Sequence, residues 1–320
     1  MNKGNHALHV ATMSGWYRFE QDGGEWRQVK RALTYWSLTC LSVDPEEPRL
    51  VYAGTEHSGL FFTTDGGEKW RRANPNVPKM MLFSVLALPG TVMVGTIPAA
   101  VYKKNGQGWE ELEGVRNASQ GASFPPSPEL QSRTRYLAVD PAAPSRLYAG
   151  IEVGGLLASD NGGKSWQAAN EGLADPDVHE VLPCEKTGGL VFAACGDKAF
   201  RSFDRAARWE EVTPPSHDYG MSLAEDGDGA VYLGSATGRP NTWLRESEAD
   251  AAIFRSTDAG SHWEIVVDKL RGGVMSMCAG PGGRGILAGT SDGELISIND
   301  SGARLVASGL PCITSVRLGA

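Results

Sequence analysis

Few side chains in this 320-residue chain can do acid–base or electrophilic chemistry, and its six histidines narrow the field. His179 lies in "DVHEV", and His217 lies two residues before Tyr219 in "SHDYG". Arg135 sits in "RTRYLAVD" and Glu152 in "AGIEVGG". An arginine fork can hold a carboxylate or an oxyanion through two parallel hydrogen bonds. Histidine and tyrosine exchange protons, and a glutamate can orient the histidine or act as an acid. Arg135, His179, Tyr219, Glu152 and His217 are therefore the candidate catalytic set. The inventory suits β-elimination from a uronic-acid-like molecule, or a hydrolysis. It lacks two obvious facing carboxylates of the kind a glycosidase uses. His57, His179, His217 and Glu152 offer nitrogen and oxygen donors that a divalent metal would accept, although nothing in the sequence requires a cofactor. No nucleophile elbow, Walker-type phosphate loop or HExxH zinc motif is present, and "GPGGRG" (280–285), which has the glycine spacing of a phosphate-binding loop, lies in a turn between two strands rather than before a helix and reads as a hairpin.

These residues lie tens of positions apart, so a repeated scaffold must bring them together. The chain supplies one. "TTDGGEKW" (63–70) recurs as "SDNGGKSW" (159–166), "SFDRAARW" (202–209) and "STDAGSHW" (256–263). Weaker copies end at Trp26 and Trp109, and a last one, "SINDSGARL", ends near Leu305. Seven anchors at 26, 70, 109, 166, 209, 263 and about 305 give a base period near 42 with two insertions. Each unit reads as four short strands separated by Gly, Pro and Asp breaks, such as "SLTCLSVDP", "RLVYAG", "GLFFTT" and "KWRRAN". Four strands every forty-odd residues describe a propeller blade. The expected fold is all-β: one domain over 1–320, a seven-bladed propeller of four-stranded antiparallel blades. The first unit lacks its first strand and the C-terminal "CITSVRLGA" is a spare one. That strand should complete the first blade, closing the ring without leaving open sheet edges.

The repeat also sets a register. Thirteen residues before the second-strand aromatic lies an innermost-strand position, occupied by Thr39, Arg135, His179 and Tyr219 in the second, fourth, fifth and sixth blades. Three neighbouring blades thus place Arg, His and Tyr at one height on the channel wall, with His217 on the same face nearer the mouth. Two insertions, 113–133 and 235–252, should both lie on the channel-mouth face, where long loops in compact domains commonly serve function. Trp36, Glu56, His57, Arg239, Trp243 and Arg245 are the candidate substrate-binding side chains.

The S/T-x-D/N-x-G-x-x-W pattern resembles the Asp-box, or BNR, repeat of sialidases, other glycosidase propellers, the sortilin ectodomain and a photosystem II assembly factor. The resemblance covers nearly the whole chain, with three good copies. It implies that the box is a turn between the third and fourth strands of a blade, its Asp accepting backbone N–H groups, its glycine adopting positive φ and its tryptophan packing between blades. An Asp-Gly-Gly loop could instead hold calcium or an anion, but the turn is the stronger reading. The chain departs from sialidases in having seven units and no clear arginine triad. In style it is nearer to bacterial Asp-box propellers grouped with glycosyl hydrolases. The resemblance leaves two expectations: a hydrolase or lyase acting on a small polar or anionic carbohydrate-like substrate at the channel mouth, or a non-catalytic scaffold with a protein partner on that face.

Bulk properties limit the partners. The net charge is −8 and no basic run reaches five residues, which argues against nucleic acid and anionic membrane. The start has no apolar run of signal-peptide length, and the five cysteines form no CxxC pair. Reduced, mostly buried thiols and a cytoplasmic location are expected from this.

Overall fold

A computed structural model of the chain describes residues 6–119, 131–240, 243 and 248–319. Seven four-stranded antiparallel sheets follow one another around a ring. The innermost strands are Ile313–Gly319, Leu38–Val43, Leu82–Leu88, Arg133–Asp140, Val178–Pro183, Tyr219–Glu225 and Val274–Ala279 for blades one to seven. Each packs against the innermost strand of the next blade, and the last of the chain packs against blade two. Blade one is completed as expected: Ile313–Gly319 pairs antiparallel with Ala7–Thr12, so both chain ends share one sheet.

Apolar burial is distributed rather than central. Seven hydrophobic clusters occur, each joining one blade to its neighbour. The alternation of side chains along a strand explains this, because both faces of every blade meet another blade. The repeat tryptophans serve this packing. Trp70, Trp166, Trp209 and Trp263 each lie against the preceding blade's cluster. Trp209 and Trp263 also donate their indole N–H to Ala169 O (2.8 Å) and Val212 O (2.7 Å) of that blade's outer edge.

The Asp-Gly segments are turns. In the first, Thr63 Oγ1 donates to Asp65 Oδ1 (2.7 Å) and accepts from Gly67 N (3.0 Å), while Lys69 N donates to the same carboxylate oxygen (2.9 Å). The same bonds recur at Ser159/Asn161, Ser202/Asp204 and Ser256/Asp258. Where glycine is missing, Ala206 itself adopts φ 67°. The three weaker copies differ. Asp22↔Glu25, Asn105↔Gly108 and Asn299↔Gly302 are paired ends of two-residue hairpins. They look alike in sequence because both turn types need Asp or Asn beside Gly.

The insertions are shorter than their sequence bounds. The first opens with a helix, Glu113–Ser119, and ends where the blade-four strand begins at Arg133; residues 120–130 lie outside the described set. In the second, residues 235 and 236 complete the strand Val231–Ala236, and 251 begins the strand Ala251–Ser256. No helix of the described residues is long and apolar enough to cross a membrane.

Candidate functional site at the channel mouth

Every innermost strand carries a register break near its start, where one extra residue is inserted opposite the second strand. The inserted residues are Thr314, Thr39, Phe83, Arg135, His179, Met221 and Met275, and all seven line a cavity of about 350 Å³ in the central channel. A bulge re-aims side chains. Here it brings two consecutive residues, Arg135–Tyr136 and His179–Glu180, onto the same cavity wall. Strict alternation would have sent Tyr136 and Glu180 elsewhere.

This ring corrects the sequence register in one blade. Thr39, Arg135 and His179 are equivalent, but the blade-six member is Met221. The hairpin between Tyr219–Glu225 and Val231–Ala236 is two residues shorter than those of blades two, four and five, pairing Ser222 with Gly234 where Cys40 pairs with Gly54. Tyr219 sits two residues nearer the mouth, paired with Ala236. It still reaches His179: its hydroxyl lies 3.4 Å from Nε2, with ring centroids 5.0 Å apart.

Around His179 the geometry is well defined. Nδ1 lies 2.6 Å from Gly220 O, which can only accept, so that nitrogen carries its hydrogen. Nε2 is left facing Tyr219 and Asp177 Oδ2, the latter at 3.6 Å. Gly196 permits this approach, since a Cβ there would stand 2.6 Å from the Asp177 carboxylate. Burial pushes the Asp177 carboxyl up, but His179 beside it outweighs burial and holds it below the usual range. Burial pushes the Tyr219 hydroxyl well above its ordinary value, which keeps it protonated.

Beside this pair, Glu152 is clamped by two arginines. Arg135 Nη1 lies 3.0 Å from Oε2, and Arg133 bonds both oxygens through Nε and Nη2. Burial would raise this carboxyl, yet Arg135 and Arg133 hold it at about 2. Arg133 also stacks over Phe83 at 4.7 Å.

One oxygen of Glu152, one of Asp177 and one nitrogen of His179 lie within 4.8 Å of one another. A divalent ion could use such donors, but both Glu152 oxygens already bond guanidinium groups. A second cation there would meet like charge. The donor set reads better as an ion-pair network. Glu152 and Asp177 are both ionised, so neither is the protonated acid of a glycosidase pair.

Other expected site residues lie elsewhere. His217 adopts φ 60°, which breaks the alternation that would have aligned it with Tyr219. It hydrogen-bonds Ser216 Oγ (3.0 Å) and packs on Phe254. Trp36 packs on Phe61 (centroids 5.0 Å apart) within the core between blades one and two, so its ring is structural. His57 is exposed, 3.7 Å from Glu56, and does not join the Glu152–Asp177–His179 group; Glu56 itself lines the cavity. Arg239 pairs with Asp197 at 3.2 Å. Trp243 stands edge-on to Tyr219 at 5.9 Å and donates to Gly238 O. Arg245 lies outside the described residues. Sequence reasoning missed Asp177 and Arg133, although each stands two residues before a chosen residue. It also missed Tyr136, Glu180 and Arg317, for which the bulge left no sequence signal.

No family model matches the chain. Among curated proteins it is similar to a xyloglucanase of Hypocrea jecorina (strain QM6a), 22% identical over 247 residues. That match takes in 71% of this chain but only 25% of the relative, so the chain spans about a quarter of that protein. Among solved structures it is similar to the GH74 xyloglucanase from Xanthomonas campestris, with a TM-score of 0.66, 17% identity, and 92% of this chain and 50% of that one covered. An ancestral GH74 enzyme has a TM-score of 0.63 and 17% identity, covering 84% of this chain and 37% of the other. YCF48 bound to D1 peptide has a TM-score of 0.61 and 19% identity, covering 89% and 86%. At these identities the structural likeness establishes the propeller fold, which glycoside hydrolases and a peptide-bound protein share.

Proposed function

We propose that this chain is a hydrolase or lyase acting on a small polar, anionic, carbohydrate-like molecule at the mouth of the central channel. The observation that carries this reading is the meeting of Arg133, Arg135 and His179 on the wall of a cavity large enough for a small ligand, with Glu152 paired to both arginines and Asp177 and Tyr219 set against His179. Similarity to a xyloglucanase supports a glycoside hydrolase-like propeller.

In this reading Arg135, fixed by Glu152, turns its remaining N–H groups to a substrate carboxylate or developing oxyanion. His179 takes a proton at Nε2, because Gly220 O holds the hydrogen on Nδ1 and Asp177 stabilises the imidazolium that forms. Tyr219 stays protonated and serves as a hydrogen-bond donor rather than as a base. Trp243 and Arg239 border Tyr219 and Asp197 at the rim.

Turnover of uronic-acid glycosides would be followed by reducing-end release for hydrolysis and by ultraviolet absorbance of the unsaturated product for elimination. His179→Ala and Arg135→Ala should each lower kcat/KM by about a hundredfold or more. Wild-type turnover in both variants would refute the assignment.

A second reading is favoured by one observation: the likeness to YCF48 covers 86% of that chain, and that structure holds a peptide. Under it the mouth face binds a protein segment and the charged cluster supplies polar contacts. Saturable binding of a partner peptide by a chain inert on every glycoside would select it.

A further inference from the structure

One step below the bulge ring, the seven innermost strands carry Ser315, Cys40, Ser84, Tyr136, Glu180, Ser222 and Ser276. Several of these side chains stitch one blade to the next. Ser315 Oγ accepts from Leu41 N (3.3 Å), and Ser276 Oγ accepts from Val316 N (3.1 Å). Glu180 Oε2 makes the same stitch, accepting from Leu223 N at 3.2 Å. A serine hydroxyl suffices for this bond in blades one and seven, so Glu180, whose carboxyl also takes a hydrogen bond from Tyr136, carries a charge that the stitch does not need.

The charge opposite it is equally anomalous. Two residues further along, blades two to seven carry Ser42, Leu86, Ala138, Leu182, Ala224 and Cys278, while blade one carries Arg317. Arg317 Nη1 donates to Ser276 Oγ (3.2 Å) and Val316 O (2.7 Å). Among the described residues no acceptor lies against its Nε or Nη2, and neither atom is sealed from solvent. Arg317, Glu180 and Tyr136 line the same cavity. Arg317 and Glu180 attract each other without forming a direct ion pair. Two opposite charges have thus been carried into a channel and held apart. Charges in a channel act on a ligand more strongly than charges in bulk water, so a group bridging Arg317 and Glu180 would gain from both.

We infer that Arg317, Glu180 and Tyr136 form an inner ligand site for a small hydroxylated carboxylate, the carboxylate resting on Arg317 and a hydroxyl on Glu180 and Tyr136. The site stands whether or not the mouth above it is catalytic. The carboxyl of Glu180 faces Tyr136 and Arg135 from blade four, Arg317 from blade one, the Leu223 amide from blade six and Cys278 from blade seven. Burial pushes it up to about 7 against the opposing pull of Arg317, Tyr136 and Leu223. An anion on Arg317 therefore binds more tightly when Glu180 is protonated, and affinity falls as pH rises through that range.

The test is calorimetric titration of the whole chain with D-glucuronate, and with D-glucose as the same ring lacking the carboxylate. D-glucuronate should bind and D-glucose should not. Affinity should fall about tenfold or more on replacing Arg317→Met, and it should weaken between about pH 6 and pH 8. Glu180→Gln should bind with little pH dependence. Absence of D-glucuronate binding at about 10 mM would overturn the inference, as would wild-type affinity in Arg317→Met. If Arg317→Met does not fold, the Glu180→Gln series decides. A pH dependence unchanged from wild type would refute the site, and its loss supports it.

Discussion

Replacing Glu152 by glutamine removes the one charge that holds Arg133 and Arg135 together. The side chain of Glu152 is 16% exposed and those of its partners 32% and 23%, so little water is available to replace it. Burial alone would raise this carboxyl, yet the two arginines hold it at about 2 against an ordinary 4.5. At about 1.4 kcal/mol per pH unit, that difference corresponds to about 3 kcal/mol of stability at neutral pH. Breaking a buried ion pair on one side costs about 3–5 kcal/mol in general, which agrees. The sign follows from a folded value below the unfolded one. The contribution is fully present above about pH 4.5 and is lost as pH falls toward 2. Urea unfolding followed by tryptophan fluorescence should place Glu152→Gln about 3 kcal/mol below wild type at pH 7, with the gap narrowing as pH falls below about 4.5. A variant within about 0.5 kcal/mol of wild type at pH 7, or a gap that acid leaves unchanged, would show that Glu152 does not anchor the arginines.

Two adjacent glycines of the first Asp-Gly turn should respond differently to alanine. Both have positive φ, and each substitution costs about 1 kcal/mol for that reason, but a Cβ on Gly67 would lie 2.0 Å from the Trp16 ring whereas Gly66 meets nothing closer than 3.8 Å. Gly67→Ala should lower the melting temperature clearly more than Gly66→Ala, and equal shifts would count against the interblade packing described for this turn. Deleting the terminal strand Ile313–Gly319 exposes the edge of Ala7–Thr12 and opens the cluster between blades seven and one. The truncated chain should lose its cooperative thermal transition, and a melting curve like that of wild type would show that ring closure contributes little.

The amino-acid sequence alone determined the blade count, the four-strand grammar and the closure of the ring, because these depend on local turn chemistry repeated at a fixed period. Arg135 and His179 were legible as neighbours, since equivalent positions in adjacent blades must lie close, whereas Tyr219 joins them from two residues nearer the mouth and Glu152 from the end of a second strand. The tertiary structure alone decided which side chains face the channel. A bulge in each innermost strand overrides the two-residue alternation, turning Glu180 and Tyr136 inward, and a hairpin shortened by two residues puts Met221 where Tyr219 had been expected. A positive φ at His217 takes that histidine out of the site. Arg317 shares a cavity with Glu180 only because the last strand of the chain closes the first blade, placing residues more than a hundred positions apart around one channel. Such encounters leave no trace in local sequence, because they depend on strand pairing across the whole ring rather than on propensity or spacing.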